Sequence, residues 1–363
     1  MSWSVTGRRW GWLPVGLLIT SLVITTLHAV VASALPPPSV LATWQPDGSQ
    51  VAVLLSTEQR RRILIYDRQG HRVAKHTLPE GRFSQPAWQP DGRRIWLACR
   101  EGETKSGIHV LSVGTGQVSR VTDGFGPVPS PDGRRVAFVR REQDPAGDPT
   151  LQVWVSDSSG GSPRRVSLIG KEFVSGCLAW CPTGRALAYT EIGNPSDTMG
   201  RHHLWLAHMD GRRIRVTSER RPIDDVAWSR NGRCVFWIAG EGSPLWRRAV
   251  WRYDLKSDER DLLFPYDASL GRGEVCIFPE RQRAGVFDVR ADDDRCELRL
   301  VDLRTGSVTT IALPEEAGPV FWDPTGSLAL VAKREPLALW ILSLGDKEWA
   351  KLDTGSPWRD LPE

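Results

Sequence analysis

Several chemistries are missing from this 363-residue chain. It has no Gly-x-Ser-x-Gly elbow to present a nucleophilic serine. It has no Cys-x-x-Cys pair and no Cys/His spacing of the kind that cages zinc. Lysine is scarce, 7 residues against 40 arginines, which reads as a compositional bias more than a phosphate-binding surface. Strong net charge is also absent. The formal charge is +4, and Arg8 and Arg9 supply two of it, leaving 45 basic against 43 acidic residues, or +2. A nucleic-acid binder needs a basic stripe, and that balance argues against one.

Charge is missing altogether from Gly11 to Ser39. Behind Arg8 and Arg9 this run has the form of an export leader, with Ala32, Ser33 and Ala34 as an A-x-A-like cleavage site. Residues 1–34 are therefore expected to be a signal peptide or signal anchor. A cleaved signal is the preferred reading, with the mature chain starting near Leu35. The alternative is attachment through residues 13–31, a stretch of 19 that is just long enough to span a bilayer core of about 30 Å. "LPPPS", residues 35–39, is a stiff Pro-rich linker. Either way the rest of the chain is expected outside the cytoplasm, periplasmic or secreted.

What is abundant is repetition. "TWQPDGSQVAVL" from Thr43 returns as "AWQPDGRRIWLA", "AWCPTGRALAYT", "AWSRNGRCVFWI" and "FWDPTGSLALVA". Their tryptophans are Trp44, Trp88, Trp180, Trp228 and Trp322. The first two are 44 apart, while the gaps of 92 and 94 each hide a degenerate copy. One is "VPSPDGRRVAFV", with Pro129 in place of tryptophan. The other is "CIFPERQRAGVF", which has lost its glycine turn. After each hairpin comes an alternating run such as "ILIYDRQG" or "LWLAHMDG", which reads as a half-buried strand, and then a short fourth run. Four strands per unit of about 46 residues is the spacing of a propeller blade.

The expected architecture is all-β, a seven-bladed β-propeller of four-stranded antiparallel blades behind an N-terminal hydrophobic leader. The propeller spans 40–354, with repeats at about 40–80, 84–122, 126–168, 176–217, 224–265, 274–312 and 318–354 and a tail of 355–363. In each Pro-Asp-Gly turn, Pro presets φ near −65°, Asp bonds the backbone two residues on, and Gly supplies positive φ. The preceding tryptophan is expected at the contact between neighbouring blades. Recurrence at a turn is a structural need, so these repeated Asp and Trp residues are not read as an active site.

The W-x-P-D-G turn followed by a strand ending in "D-x-x-G" resembles the WD-repeat-like propeller repeat of the TolB family. The matches are Trp44 to Gly48, Trp88 to Gly92 and Ser130 to Gly133, with "ILIYDRQG" and "LWLAHMDG" behind them. The resemblance covers about nine-tenths of the chain and implies the fold. Two departures stand out. TolB carries an α/β domain before six blades, whereas here a leader precedes seven units. TolB's own partners are therefore not carried over. The same propeller type precedes the hydrolase domain of prolyl oligopeptidase-like enzymes, whose nucleophile elbow is missing here.

Six cysteines, Cys99, Cys177, Cys181, Cys234, Cys276 and Cys296, leave fifteen possible pairings. Cys177 and Cys181 are too far along one strand to bridge each other. Several of the six read as small buried hydrophobes.

Propeller strands alternate in direction, so the turns after strands one and three share one face, and the connections after strands two and four share the other. The longer, more varied segments belong to the second face: Arg141 to Thr150, Glu191 to His203, Glu241 to Val250 and Arg290 to Glu297. Binding is expected there. The candidate binding residues are Trp246, Arg247 and Arg248, which could stack on and clamp a sugar or carboxylate, with His202, His203, Asp224 and Asp225. No catalytic constellation is identified. A metal on His202, His203, His208 and Asp197 is disfavoured because neighbouring strand residues point to opposite faces. Asp292, Asp293 and Asp294 are weak candidates for Ca²⁺, without a companion loop pattern; no other cofactor is expected.

The function expected is a non-catalytic extracytoplasmic scaffold, monomeric, binding a protein or peptide partner in the cell envelope and no nucleic acid. The alternative is a polysaccharide-active or glycan-binding propeller, a lyase or hydrolase with its site at the mouth of the central channel. There, Asp224 and Asp225 form an acidic pair in otherwise apolar innermost strands.

Overall fold

In the computed structural model the described residues are 39–353, apart from 57–59, 101–104, 145, 168–172, 193–201, 220–221, 242–246, 268–269, 271–273, 290–295, 316 and 334–336. They form seven blades of antiparallel strands. Blade 1 runs Ser39–Trp44, Gln50–Ser56, Arg61–Asp67 and Arg72–Thr77, each strand pairing with the next. Blade 4 repeats the plan with Phe173–Trp180, Ala186–Ile192, His202–His208 and Arg213–Glu219. Blade 5 follows with Ile223–Trp228, Cys234–Glu241, Arg247–Asp254 and Glu259–Asp267, and blade 6 begins at Glu274–Phe278. Blade 2 has its first strand split into Arg82–Phe83 and Ala87–Trp88. Blade 3 has a fourth strand of only two residues, Arg164–Arg165. A single parallel bridge, Leu151 to Phe173, joins the sheets of blades 3 and 4.

First strands touch the first strands of their neighbours around the ring, so they line its centre. The five tryptophans end equivalent first strands, as the repeat predicts. Four of them share one bond. The indole N–H donates to a carbonyl of the preceding blade's first strand: Trp44 to Phe321 at 2.9 Å, Trp88 to Thr43 at 3.0 Å, Trp180 to Val128 at 2.9 Å and Trp228 to Ala179 at 2.9 Å. The aromatic ring thus fills the gap between blades while its polar edge is satisfied.

Alternation is weaker than expected for half-buried strands. The second strand of blade 1, "QVAVLLS", is buried along five consecutive residues, and the third, "RRILIYD", along four. Each blade is covered on both faces by neighbours, so its middle strands need apolar side chains on both sides. Alternation survives at the blade's two outer strands, Ser39–Trp44 and Arg72–Thr77.

The turns follow the expected mechanics. Gly48 N–H donates to Gln45 O at 2.8 Å with φ +70°, and Asp47 Oδ1 accepts the amide of Ser49 at 2.8 Å. In blade 6, where glycine is lost, Gln282 adopts the left-handed conformation at φ 49° after a 3₁₀ turn, Pro279–Arg281. The ring closes without exchanging a strand. Blade 7 is built wholly from Ala317–Trp322, Leu328–Lys333, Ala338–Ser343 and Trp349–Lys351. Val40, Val53 and Tyr66 of blade 1 pack in one core with Leu330, Ile341 and Leu352. All six cysteines are free thiols.

Candidate functional site

Strand direction brings the ends of second strands and the beginnings of first and third strands to one face. Glu191 lies near the end of a second strand there, and His202 and His203 start a third strand in blade 4. Asp224 and Asp225 start the first strand of blade 5, Arg247 and Arg248 its third, and Glu274 the first strand of blade 6. The structure therefore gathers His202, His203, Asp224, Asp225, Arg247 and Arg248 on one face of two adjacent blades. Trp246 and the trio Asp292, Asp293 and Asp294 lie outside the described residues, as does Asp197.

The varied segments are shorter as loops than the sequence suggests. Glu142 pairs with Thr150 and Gln143 with Pro149, so the blade 3 hairpin extends to a tight turn in which Gly147 N–H donates to Asp144 O. Glu191 pairs with His203 and Ile192 with His202, which makes these ladder residues. Polar side chains at strand ends look like loop in a one-dimensional pattern, although cross-strand pairing continues through them.

Asp224 and Arg248 form a buried ion pair, Nε to Oδ2 at 2.7 Å, with side chains 8% and 4% exposed. Arg248 also donates through Nη1 to the carbonyl of Leu270 at 2.9 Å, tying in the connection to blade 6. The closeness depends on Gly240, where a Cβ would stand 3.3 Å from Asp224 Oδ2. Burial holds the Asp224 carboxyl above its usual range, against the pull of Arg248. Arg247, the adjacent residue, points away and is exposed.

Asp225 does a different job. Its carboxylate accepts the amide of Val226 at 2.8 Å and the amide of Ile277, in the first strand of blade 6, at 2.9 Å. First strands are sheet edges with unpaired amides, and Asp225 satisfies one of them across a blade junction. The residue is half-buried, and burial pushes its carboxyl up to about 6. The same desolvation raises Glu274 to about 7 and drives the Cys276 thiol well up, where nearby Asp225 adds to it.

In blade 4, burial lowers His202 to about 4, with His203 adding to the shift. Its Nδ1 is buried and has no hydrogen-bond partner among the described residues. His208, at the far end of that strand, is also lowered by burial. No three His, Cys, Asp or Glu side chains among the described residues are arranged to hold a metal.

Glu191, Glu274 and Cys276 were not among the sequence candidates. Their signal was a single acidic or thiol residue inside an apolar run, "ALAYTEI" or "EVCIF", which alternation alone places on no particular face. Chemically, the arrangement offers neutral imidazole, a committed ion pair and desolvated carboxyls.

A family model described as the TolB beta propeller domain matches residues 16–254. An uncharacterized protein of Agrobacterium fabrum (strain C58) is 30% identical over 161 residues, 42% of this chain and 54% of that protein, so the chain spans about half the length of the curated relative it matches. Among solved structures, an oligogalacturonate lyase in complex with manganese superposes with a TM-score of 0.63 at 14% identity, over 85% of this chain and 92% of that one. An oligogalacturonate lyase from Vibrio parahaemolyticus superposes with a TM-score of 0.63 at 11% identity, over 86% and 93%. At such identities the likeness concerns the fold alone.

Proposed function

The chain belongs to the TolB beta propeller domain family, and on that premise we propose that it is a non-catalytic binding scaffold of the cell envelope. It acts outside the cytoplasm and captures a protein or peptide on the face where second strands end and third strands begin. One observation carries the reading: the three charged groups Asp224, Asp225 and Arg248 there are already used by the fold. Asp224 is held by Arg248, Arg248 by Leu270, and Asp225 by two backbone amides. A general acid or base must be free to exchange a proton with a substrate, whereas a docking platform needs rigid strand ends beneath variable connections. Family membership supports export as well. No helix among the described residues is long and apolar enough to cross a membrane.

The test is capture from envelope extract. Shortening the connection at 193–201, with Ile192 and His202 left in their ladder, should abolish capture and hardly move Tm, because the core is untouched. Unchanged capture would remove the assignment to this face. Mass spectrometry of protein expressed with its leader should find a terminus near Leu35; an intact Met1 terminus in the membrane fraction would favour attachment through residues 13–31.

One observation favours the second reading, a polysaccharide-active propeller. Glu274, raised to about 7 at the channel mouth, is poised to exchange a proton near neutrality. Cleavage of any polysaccharide, lost in Glu274→Gln, would replace the scaffold reading.

A further inference from the structure

The opposite face carries a pattern that the scaffold reading does not use. The residue after each left-handed turn position, between first and second strands, is arginine in five consecutive blades: Arg93, Arg134, Arg185, Arg233 and Arg283. In blades 7 and 1, which complete the ring, it is serine, Ser327 and Ser49. The five turns, residues 89–94, 130–135, 181–186, 229–234 and 279–283, hold nine arginines against three carboxylates, Asp91, Asp132 and Glu280. The two serine turns, 45–50 and 323–328, hold Asp47 and Asp323 and no cation. Among the first-to-second-strand turns, positive charge is thus concentrated along one arc.

The arc is exposed and largely unspent. Arg93, Arg134, Arg185 and Arg283 are exposed, and their guanidiniums make no salt bridge or hydrogen bond among the described residues. Arg233 is committed to Asp254 at 2.8 Å, and Glu280 accepts the backbone amide of Arg230 at 2.7 Å. Asp91 and Asp132 are turned into their own loops, each accepting an amide two residues on. The supporting turns are rigid: Gln89 donates to Gly133 O at 2.6 Å, and Arg135 to Gly184 O at 3.2 Å, linking one turn to the next.

We propose that these turns form an arginine arc over blades 2 to 6 that docks an acidic polypeptide segment. The planar guanidinium fork matches carboxylate oxygens, and an array of such forks at one radius suits a linear polyanion. Single-stranded nucleic acid is disfavoured because its capture relies on exposed aromatic faces for stacking. The exposed large apolar side chains among the described residues, Val73, Leu262, Val308 and Trp349, all sit on fourth strands instead. A flat anionic membrane would also press on the turns between third and fourth strands of the same face, which carry Asp67, Asp157, Asp210, Asp302 and Asp346. A flexible acidic chain follows the arc and avoids them.

The test uses the purified full chain and a labelled oligoglutamate peptide in fluorescence anisotropy. Wild type should bind, more weakly as salt rises. Replacing Arg93, Arg134, Arg185 and Arg283 with serine, the residue two blades already carry there, should weaken binding by at least about tenfold, at two- to fivefold for each exposed pair lost. Tm should not change. Ser49→Arg, extending the arc into blade 1, should strengthen binding. Shortening 193–201 on the other face should leave it intact, which separates failure here from failure of the scaffold reading. Three results would each overturn the proposal: oligoglutamine binding as well as oligoglutamate, the fourfold variant binding like wild type, or an oligonucleotide or phosphatidylglycerol vesicle binding more tightly than the peptide.

Discussion

Six of the seven blade junctions in this ring are of two kinds. At four of them, 7 to 1, 1 to 2, 3 to 4 and 4 to 5, a tryptophan indole spans the gap and donates to a backbone carbonyl. Blades 3 and 6 have no tryptophan at that place, only Pro129 and Phe278. There a polar side chain of the preceding blade takes over. At the junction of blades 2 and 3, Gln89 donates to Gly133 O while accepting the indole of Trp96 at 2.7 Å. At the junction of blades 5 and 6, Asp225 accepts the amide of Ile277, and the Asp224–Arg248 pair anchors Leu270 beside it. A neutral ring buries area and asks nothing of pH, whereas a carboxylate in the same role carries a desolvation cost. The junction of blades 5 and 6, built on buried ionised groups, is also where the candidate site lies.

The largest effect should come from the indole junctions. Trp228→Ala removes a buried ring and its bond to Ala179, and should cost about 3–5 kcal/mol in urea unfolding. A loss below about 1 kcal/mol would mean that the recurring indole bond is incidental. Next is the ion pair. Asp224→Ala strands a buried guanidinium and should cost about 3 kcal/mol, whereas Asp224→Ala with Arg248→Met should recover most of it. If the double variant is as unstable as the single one, the pair is not what makes the single loss costly.

A third expectation concerns pH and sets the charged junction apart. The folded carboxyl of Asp225 titrates at about 6, above its ordinary value of 3.8. Between those values the folded state holds more protons than the unfolded one, so this group's contribution is present at low pH and fades as pH rises through about 6. Glu274, raised from 4.5 to about 7, acts in the same direction. His202, lowered from 6.5 to about 4, acts in the opposite one, since acid must charge a buried ring. Asp225→Asn should therefore remove stability loss between pH 4 and 6 that wild type shows, by an amount on the order of 2 kcal/mol. Identical pH profiles of Tm would show that the carboxyl is solvated in solution. The smallest effect is expected in the turns. Asp132→Ala, which loses the bonds to Ser130 and to the Arg134 amide, should cost about 1 kcal/mol and leave partner capture unchanged.

Much of this molecule could be read along the chain. Seven units, the strand positions of Trp44, Trp88, Trp180, Trp228 and Trp322 and the Pro-Asp-Gly turns recur at a nearly fixed spacing, so their pattern survives in one dimension. Even the arginine arc is written there, as the residue after the turn glycine in four blades and after Gln282 in blade 6, although its meaning needs the ring. The tertiary structure alone decided which polar residues are buried and what they meet. Asp224 and Asp225 are neighbours in sequence, yet one turns to Arg248 within its blade and the other to Ile277 across a junction. Glu274 and Cys276 became part of the same site only because blade 6 packs there. Closure of the ring was likewise decided in space, by Val40, Tyr66, Ile341 and Leu352 meeting from opposite ends of the propeller. Periodicity records the environment that every blade shares, whereas burial and charge pairing depend on which two blades happen to touch.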